Sequence, residues 1–170
     1  MSQPHQYIVA AIVENRPGVL FRVTNLIRRR NFNIDSISVG ALGKGKLARM
    51  TIVARGDERV FEQVIKQLRK LVEIVKLKRL ELDESVLREL ALVKIHAGDS
   101  KARSDIIHFS QIFRGRIIDV FSESMIVEVT GDPSKIDAFL NLVKGYGIKE
   151  VARTGLSALA RGTDSMRTEE

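Results

Sequence analysis

The sequence predicts an α/β fold made of two tandem βαββαβ halves, and three observations predict it. Short apolar runs rich in β-branched residues, such as Tyr7–Val13 (YIVAAIV), alternate with stretches whose apolar residues recur at helical spacing. The resulting order, strand–helix–strand–strand–helix–strand, occurs twice within 170 residues, with a polar, acidic break between the two copies. A chain of that length accommodates two small domains. Each half joins two strand–helix–strand units, the layout of a ferredoxin-like α/β sandwich.

The first half covers 5–81. After the strand at Tyr7–Val13, Asn15-Arg16-Pro17-Gly18 breaks the run, and Val19, Leu20, Val23, Leu26 and Ile27 mark a helix that runs out near Arg30. In 34–42, Ile37, Val39 and Ala41 alternate with Ser36, Ser38 and Gly40, a strand with small residues on one face. Gly43-Lys44-Gly45-Lys46 has the composition of a hairpin turn, and 47–54 returns as a strand. Asp57 suits the N-cap of a second helix whose stripe is Val60, Phe61, Val64, Ile65, Leu68 and Leu71. A closing strand is expected over 72–80.

Residues 82–89 are polar and acidic and are taken as a linker, and the second half follows over 90–162. A strand is expected over 90–97, and a helix over 104–114 with Ser104 as its cap. A strand pair at 116–121 and 125–130 comes next, then a helix opened by Asp132 and Pro133 in the N-cap and N1 roles. A short strand at 148–151 completes this half, and 163–170 is expected to fray.

Composition excludes several classes. The 44% hydrophobic content builds a core, and 5% aromatic residues with no Trp make it an aliphatic one. The absence of cysteine removes disulfides, thiolate metal sites and thiol nucleophiles, and fits a reducing compartment. Met1–Gln6 has no signal-peptide pattern and no apolar run approaches a membrane span, so a soluble, cytoplasmic chain is expected. The net charge of +7 is uneven: +8 through Asp83 and −1 from Glu84 onward. A basic half suits an acidic partner, a membrane or nucleic acid, although a solvated surface is a better explanation than nucleic-acid binding.

The chemistry is concentrated at the first strand-to-helix turn. Pro17 suits a helix start, and Gly18, lacking a Cβ, permits close approach to the backbone. The first-turn N–H groups and the helix dipole favour an anion. Asn15 both donates and accepts, which suits a zwitterion better than a phosphate. A strand–helix–strand crossover between parallel neighbours is expected to bring Asn33 near the mouth of the first strand. The simpler alternative is a plain turn in which Asn15 bonds its own backbone.

Three segments, Glu14-Asn15-Arg16-Pro17-Gly18-Val19-Leu20, Arg30-Asn31-Phe32-Asn33-Ile34-Asp35-Ser36 and Arg49-Met50-Thr51-Ile52, resemble the ACT domain of the small, regulatory subunit of acetolactate (acetohydroxyacid) synthase. Leu92-Val93-Lys94-Ile95, Ile112–Val120, Gly131, Lys135–Phe139 and Glu150–Gly155 resemble the second half of the same family, so the resemblance spans about 5–162. It implies a ligand-binding, dimerising ACT domain over 5–81 and a non-catalytic subunit. The implied role is to activate a catalytic large subunit and to confer feedback inhibition by valine or another branched-chain amino acid. Thiamine diphosphate, Mg²⁺ and FAD would belong to that large subunit and no cofactor to this chain. The family places its ligand where two ACT domains pair edge to edge, as in a homodimer. Carried over, Gly18, Val19 and Leu20 would offer backbone N–H groups to the ligand carboxylate. Asn15 and Asn33, from opposite protomers, would bind its polar ends, and Ile34 and Leu20 would line the aliphatic pocket.

Other signals carry less. His96 and His108, with Asp99 and Asp105 nearby, sketch a metal site, but their spacing matches no ligand motif. Gly40–Lys46 (GALGKGK) lacks the Ser/Thr that follows Gly-Lys in a phosphate loop and joins two strands. A second reading within ligand sensing is an ACT-type amino-acid sensor of another enzyme or regulator. A reading from another class is an RNA-recognition module, which shares the topology but stacks bases on aromatics of its third strand. Here that strand, 47–53, has none.

Overall fold

The computed structural model describes residues 5–29 and 33–166. The chain forms two compact units, one drawn from the chain up to Val86 together with the segment from Gly155 onward, the other Leu87–Thr154.

The first unit contains β1 (His5–Glu14), α1 (Val19–Arg28), β2 (Asn33–Leu42), β3 (Leu47–Gly56), α2 (Glu58–Leu68) and β4 (Ile74–Leu80). Its sheet has the order β2-β3-β1-β4, and β1 is antiparallel to both neighbours. Tyr7, Val9, Ala11 and Val13 of β1 and Met50 and Ile52 of β3 face the helices, where Val23, Ile27, Phe61, Val64 and Leu68 close the core. Tyr7 stacks on Phe61 at 4.2 Å. Asp57 caps α2 as its sequence position predicts, accepting from the Arg59 N–H.

β1 is apolar on both faces. Ile8, Ala10 and Ile12, on the side away from the helices, are as buried as their neighbours, and so are Thr51 and Val53 of β3. Part of that second layer is the returning segment from Gly155. Leu156 is buried; its carbonyl accepts from the Ser38 hydroxyl at 2.9 Å and its N–H donates to Ser36 Oγ at 3.3 Å. Arg49 donates to the Ala158 carbonyl at 2.8 Å, and burial lowers the pKa of its guanidinium. Lys78 pairs with Asp164, and Met166 Sδ lies 3.9 Å from Arg49 Nη1. The small residues on one face of β2 thus receive Gly155 and Leu156, at the head of a segment that the sequence reading assigned to the other half.

The second unit comprises β5 (Ser85–His96, entering from the first unit), α3 (Ser100–Ile112), β6 (Arg116–Phe121), β7 (Ser124–Gly131), α4 (Pro133–Val143), a one-turn 3-10 helix (Lys144–Tyr146) and β8 (Ile148–Arg153). Its sheet runs β6-β7-β5-β8 around a core of Val93, Ile95, Ile106, Val127, Ile136 and Phe139.

Three boundaries differ from the sequence reading. The expected linker 82–89 is mostly strand, because β5 begins at Ser85. The third helix starts at Ser100 and is capped by Asp99, whose carboxylate accepts from the Ala102 N–H; Ser104 lies inside it. Residues 163–166 of the expected tail hold partners within the first unit, and Arg30–Phe32 and 167–170 lie outside the described residues.

Gly155 gives this packing a test. A Cβ there would stand 2.7 Å from the Ile37 carbonyl oxygen and 3.1 Å from the Ser38 nitrogen, both rigid backbone. Gly155→Ala is expected to lower stability by about 1–3 kcal/mol, as overpacking does. Denaturant unfolding checks this, and an unchanged midpoint would show that the segment does not pack here.

Candidate functional site

The candidate site begins where β1 ends. Gly18 is the N-cap of α1 at φ 87°, ψ −13°, a left-handed conformation that glycine adopts without a steric cost. Beyond its chain neighbours, no atom of the described residues lies within 4 Å of the position a Cβ would take, so within one chain the glycine is required by its backbone angle and not by crowding.

The helix starts differ in a way that bears on chemistry. Asp57, Asp99 and Asp132 each place a carboxylate on the first-turn N–H groups of α2, α3 and α4. α1 has no side-chain cap and no acid in its first turn. Its first backbone bond runs from the Arg22 N–H to the Gly18 carbonyl, so no intrahelical carbonyl reaches the N–H groups of Leu20 and Phe21. The Leu20 and Phe21 side chains are exposed beside them, whereas Val19 points into the core and its N–H donates to the Arg16 carbonyl at 3.4 Å, so the expectation that it offers a free N–H is corrected.

Two links hold the turn. Asn15 does not make the turn to its own backbone: its Nδ2 donates to the Gly45 carbonyl at 2.8 Å and its N–H to the Lys46 carbonyl at 2.9 Å. The second link was not foreseen. Glu73, whose side chain is only 4% exposed, lies 2.5 Å from Arg22 Nη1 and 3.4 Å from Arg16 Nη2, while its carbonyl accepts from the Glu14 N–H. The one advance signal was an acid amid the basic, apolar stretch of 69–80.

Asn33 and Ile34 are elsewhere. β2 is not the neighbour of β1, because β3 lies between them. Asn33 and Gln6 both pair with Arg55, so Asn33 stands level with the start of β1, nine residues before Asn15. At about 3.3 Å per residue, that separates the two asparagines by roughly 30 Å. The expectation that Asn33 meets the mouth of β1 is therefore corrected: the crossover through α1 returns the chain to the opposite end of the sheet. One chain brings together Asn15, Gly18, Val19 and Leu20, and holds exposed Asn33 and half-buried Ile34 at the far end. That end also carries Tyr7, Glu58 and Arg79. The hydrogen bond from Arg79 holds the Glu58 carboxyl below its usual pKa, and burial raises the Tyr7 phenol.

The histidines do not converge on a metal. Asp99 is engaged as a helix cap, Asp105 accepts from the Tyr146 hydroxyl at 3.0 Å, and His96 and His108 are both exposed. Among the described residues, no group of three or more His, Cys, Asp or Glu is placed to hold a metal ion. None of the described helices is long and apolar enough to cross a membrane. The helix-free face of the first sheet, which an RNA-recognition module would offer to bases, is buried at Ile8, Ala10, Ile12, Thr51 and Val53.

The first unit is a βαββαβ sandwich of the ACT class, and its first helix has no side-chain cap. The model of the "AHAS small subunit-like ACT domain" matches residues 9–76, and that of the "small subunit of acetolactate synthase" matches 88–162. A probable acetolactate synthase small subunit of Methanothermobacter thermautotrophicus is 52% identical over 164 residues, covering 96% of this chain and 98% of that one. The acetolactate synthase small subunit of Mycolicibacterium smegmatis is 43% identical over 156 residues, covering 92% and 91%. The crystal structure of the small subunit from Thermotoga maritima superposes with a TM-score of 0.86 at 41% identity, covering 94% of this chain and 99% of that one. The chain belongs to the acetolactate synthase small-subunit family.

Arg22→Ala would leave the buried Glu73 carboxylate with only its longer contact to Arg16. A loss of about 1–3 kcal/mol is expected, recovered in large part when Glu73→Gln is added. Urea melts of the two variants check the pair, and full additivity would dissolve the link.

Proposed function

We propose that this chain is the non-catalytic regulatory subunit of an acetolactate synthase. It activates a catalytic large subunit and confers feedback inhibition by valine, or another branched-chain amino acid, on branched-chain amino-acid biosynthesis in the cytoplasm. In this reading thiamine diphosphate, Mg²⁺ and FAD belong to the large subunit. The family supports the assignment. The observation that carries the ligand site is the uncapped start of α1, since a helix that leaves the N–H groups of Leu20 and Phe21 without an intrahelical acceptor keeps donors for a carboxylate.

The two halves of the site then require two chains. β2 is an edge strand, and an edge seeks a partner. Pairing it antiparallel with β2 of a second copy sets Asn33 of one chain beside the Leu42 end of the other. That end leads into the Gly45 turn, which Asn15 holds. A homodimer would thereby bring Asn33 and Ile34 of one protomer to Asn15, Gly18 and Leu20 of its partner. The ligand carboxylate would meet the helix N-terminus, the two asparagines its polar ends, and Leu20 and Ile34 its aliphatic tail.

Asn33→Ala is the sharpest variant, because Asn33 is exposed at a strand start while Asn15 also braces the hairpin. Loss of a hydrogen bond to a charged group is expected to weaken valine binding by roughly one to two decades. The reconstituted enzyme should keep its activation and lose its valine inhibition, with an unchanged melting temperature. Full valine sensitivity in this variant would move the site away from Asn33.

A further inference from the structure

β2 does not run evenly from Asn33 into the rest of the strand. Asn33 pairs with Arg55 and Ile34 with Ala54, but the next pair is Ser36 with Val53, so the pairing passes over Asp35 as an inserted residue. Side chains alternate along a strand with a period of two, and one inserted residue reverses that alternation beyond it. Asn33 therefore shares the helix-free face with Ser36 and Ser38, three and five residues further on, while Ile34 keeps the core face. The direction in which Asn33 leaves the sheet depends on this one bulge being held.

Each residue of the bulge is held by a different group. Ile34 packs on the core of the first unit, and Ser36 Oγ accepts from the Leu156 N–H at 3.3 Å. Asp35 is held by Arg55, whose Nε donates to its Oδ2 at 2.6 Å. Arg55 stands opposite Asn33 on β3, so this ion pair reaches from the cross-strand neighbour of Asn33 to the residue two positions along β2. Either partner left alone would disturb a site for a zwitterion. A bare Asp35 carboxylate would compete for the Asn33 amide N–H groups or for the ligand ammonium, and a bare Arg55 guanidinium would compete for the ligand carboxylate. Paired, they leave the Asn33 amide to the ligand and add no net charge beside it. The two side chains are 55% and 21% exposed, and an exposed ion pair contributes little to stability, so its larger effect falls on the site and not on the fold.

We propose that Arg55 and Asp35 are positioning residues of the amino-acid site: their ion pair fixes the bulge that aims Asn33 and Ile34, a role that rests on the valine site proposed for this chain. The test is calorimetric titration of the full chain with valine, with light scattering and a thermal melt of each variant. Arg55→Gln and Asp35→Asn should each weaken valine binding about tenfold, at unchanged mass and a nearly unchanged melting temperature. Arg55→Lys, which keeps the charge, should retain most of the affinity. The double variant Arg55→Gln with Asp35→Asn leaves neither charge alone and should bind no worse than either single variant. Failure of valine to bind the wild-type chain, or wild-type affinity in Asn33→Ala, would overturn the site and this inference with it. With the site intact, three results would overturn the positioning role alone. They are wild-type affinity in both single variants, full additivity in the double, and weakening that comes with loss of the dimer or a collapsed melting temperature.

Discussion

The first unit depends on a strand that must be covered on both faces. All seven residues of Tyr7–Val13 are at most 4% exposed, and at about 1.5–3 kcal/mol per large apolar side chain no other segment contributes more to that unit. Helices can cover one side of a sheet only. The other side is closed in part by a segment that leaves the last strand of the second unit and comes back at Gly155. The hydroxyls of β2, the Arg49 guanidinium and the missing Cβ of Gly155 are the fittings for that return. In the second sheet the two faces of the central strand differ: along β5, fully buried Ala91, Val93 and Ile95 alternate with half-buried Leu92 and Lys94.

This contrast also explains what the sequence disclosed. Strand and helix identities were legible because each element has one period and a marked start, as with Asp57 or Asp132–Pro133. The unbroken run of β1, read as a strand, also announced a strand with two buried faces, but nothing local named the second cover, since Leu156 lies more than 140 residues away. The linker failed for a related reason. Acidic residues at 83–84 suit a loop, yet pairing recruits Ser85–Glu89 into a strand once neighbours are in place. Ser104 lost the capping role to Asp99, an equally good cap five residues earlier whose carboxylate accepts from the Ala102 N–H.

The candidate site was legible in part. Asn15, Gly18 and Leu20 are neighbours in sequence, so any strand-to-helix turn there assembles them. Asn33 is different: the crossover through α1 makes β2 parallel to β1, so β2 starts level with the start of β1, at the end of the sheet away from Asn15. Glu73 was hidden for the opposite reason. A buried carboxylate is recognisable only after its cations, Arg16 and Arg22, have been brought to it from 50 or more residues away.

The two units share one topology, and each carries a bulge near the start of its second strand, at Ile34/Ser36 and at Ile117/Asp119. Their first helices nevertheless begin under opposite rules. In the second unit the Asp99 carboxylate occupies the N–H groups at the start of α3, which stabilises the helix and denies them to any other anion. In the first unit Gly18 turns the chain without supplying a side-chain acceptor; the Val19 N–H goes to the Arg16 carbonyl, and those of Leu20 and Phe21 stay available. Capping and anion binding compete for the same donors, so a helix start can serve stability or a ligand but not both. The repeated fold therefore does not imply a repeated site: of the two crossover helices, only α1 starts without a side-chain cap.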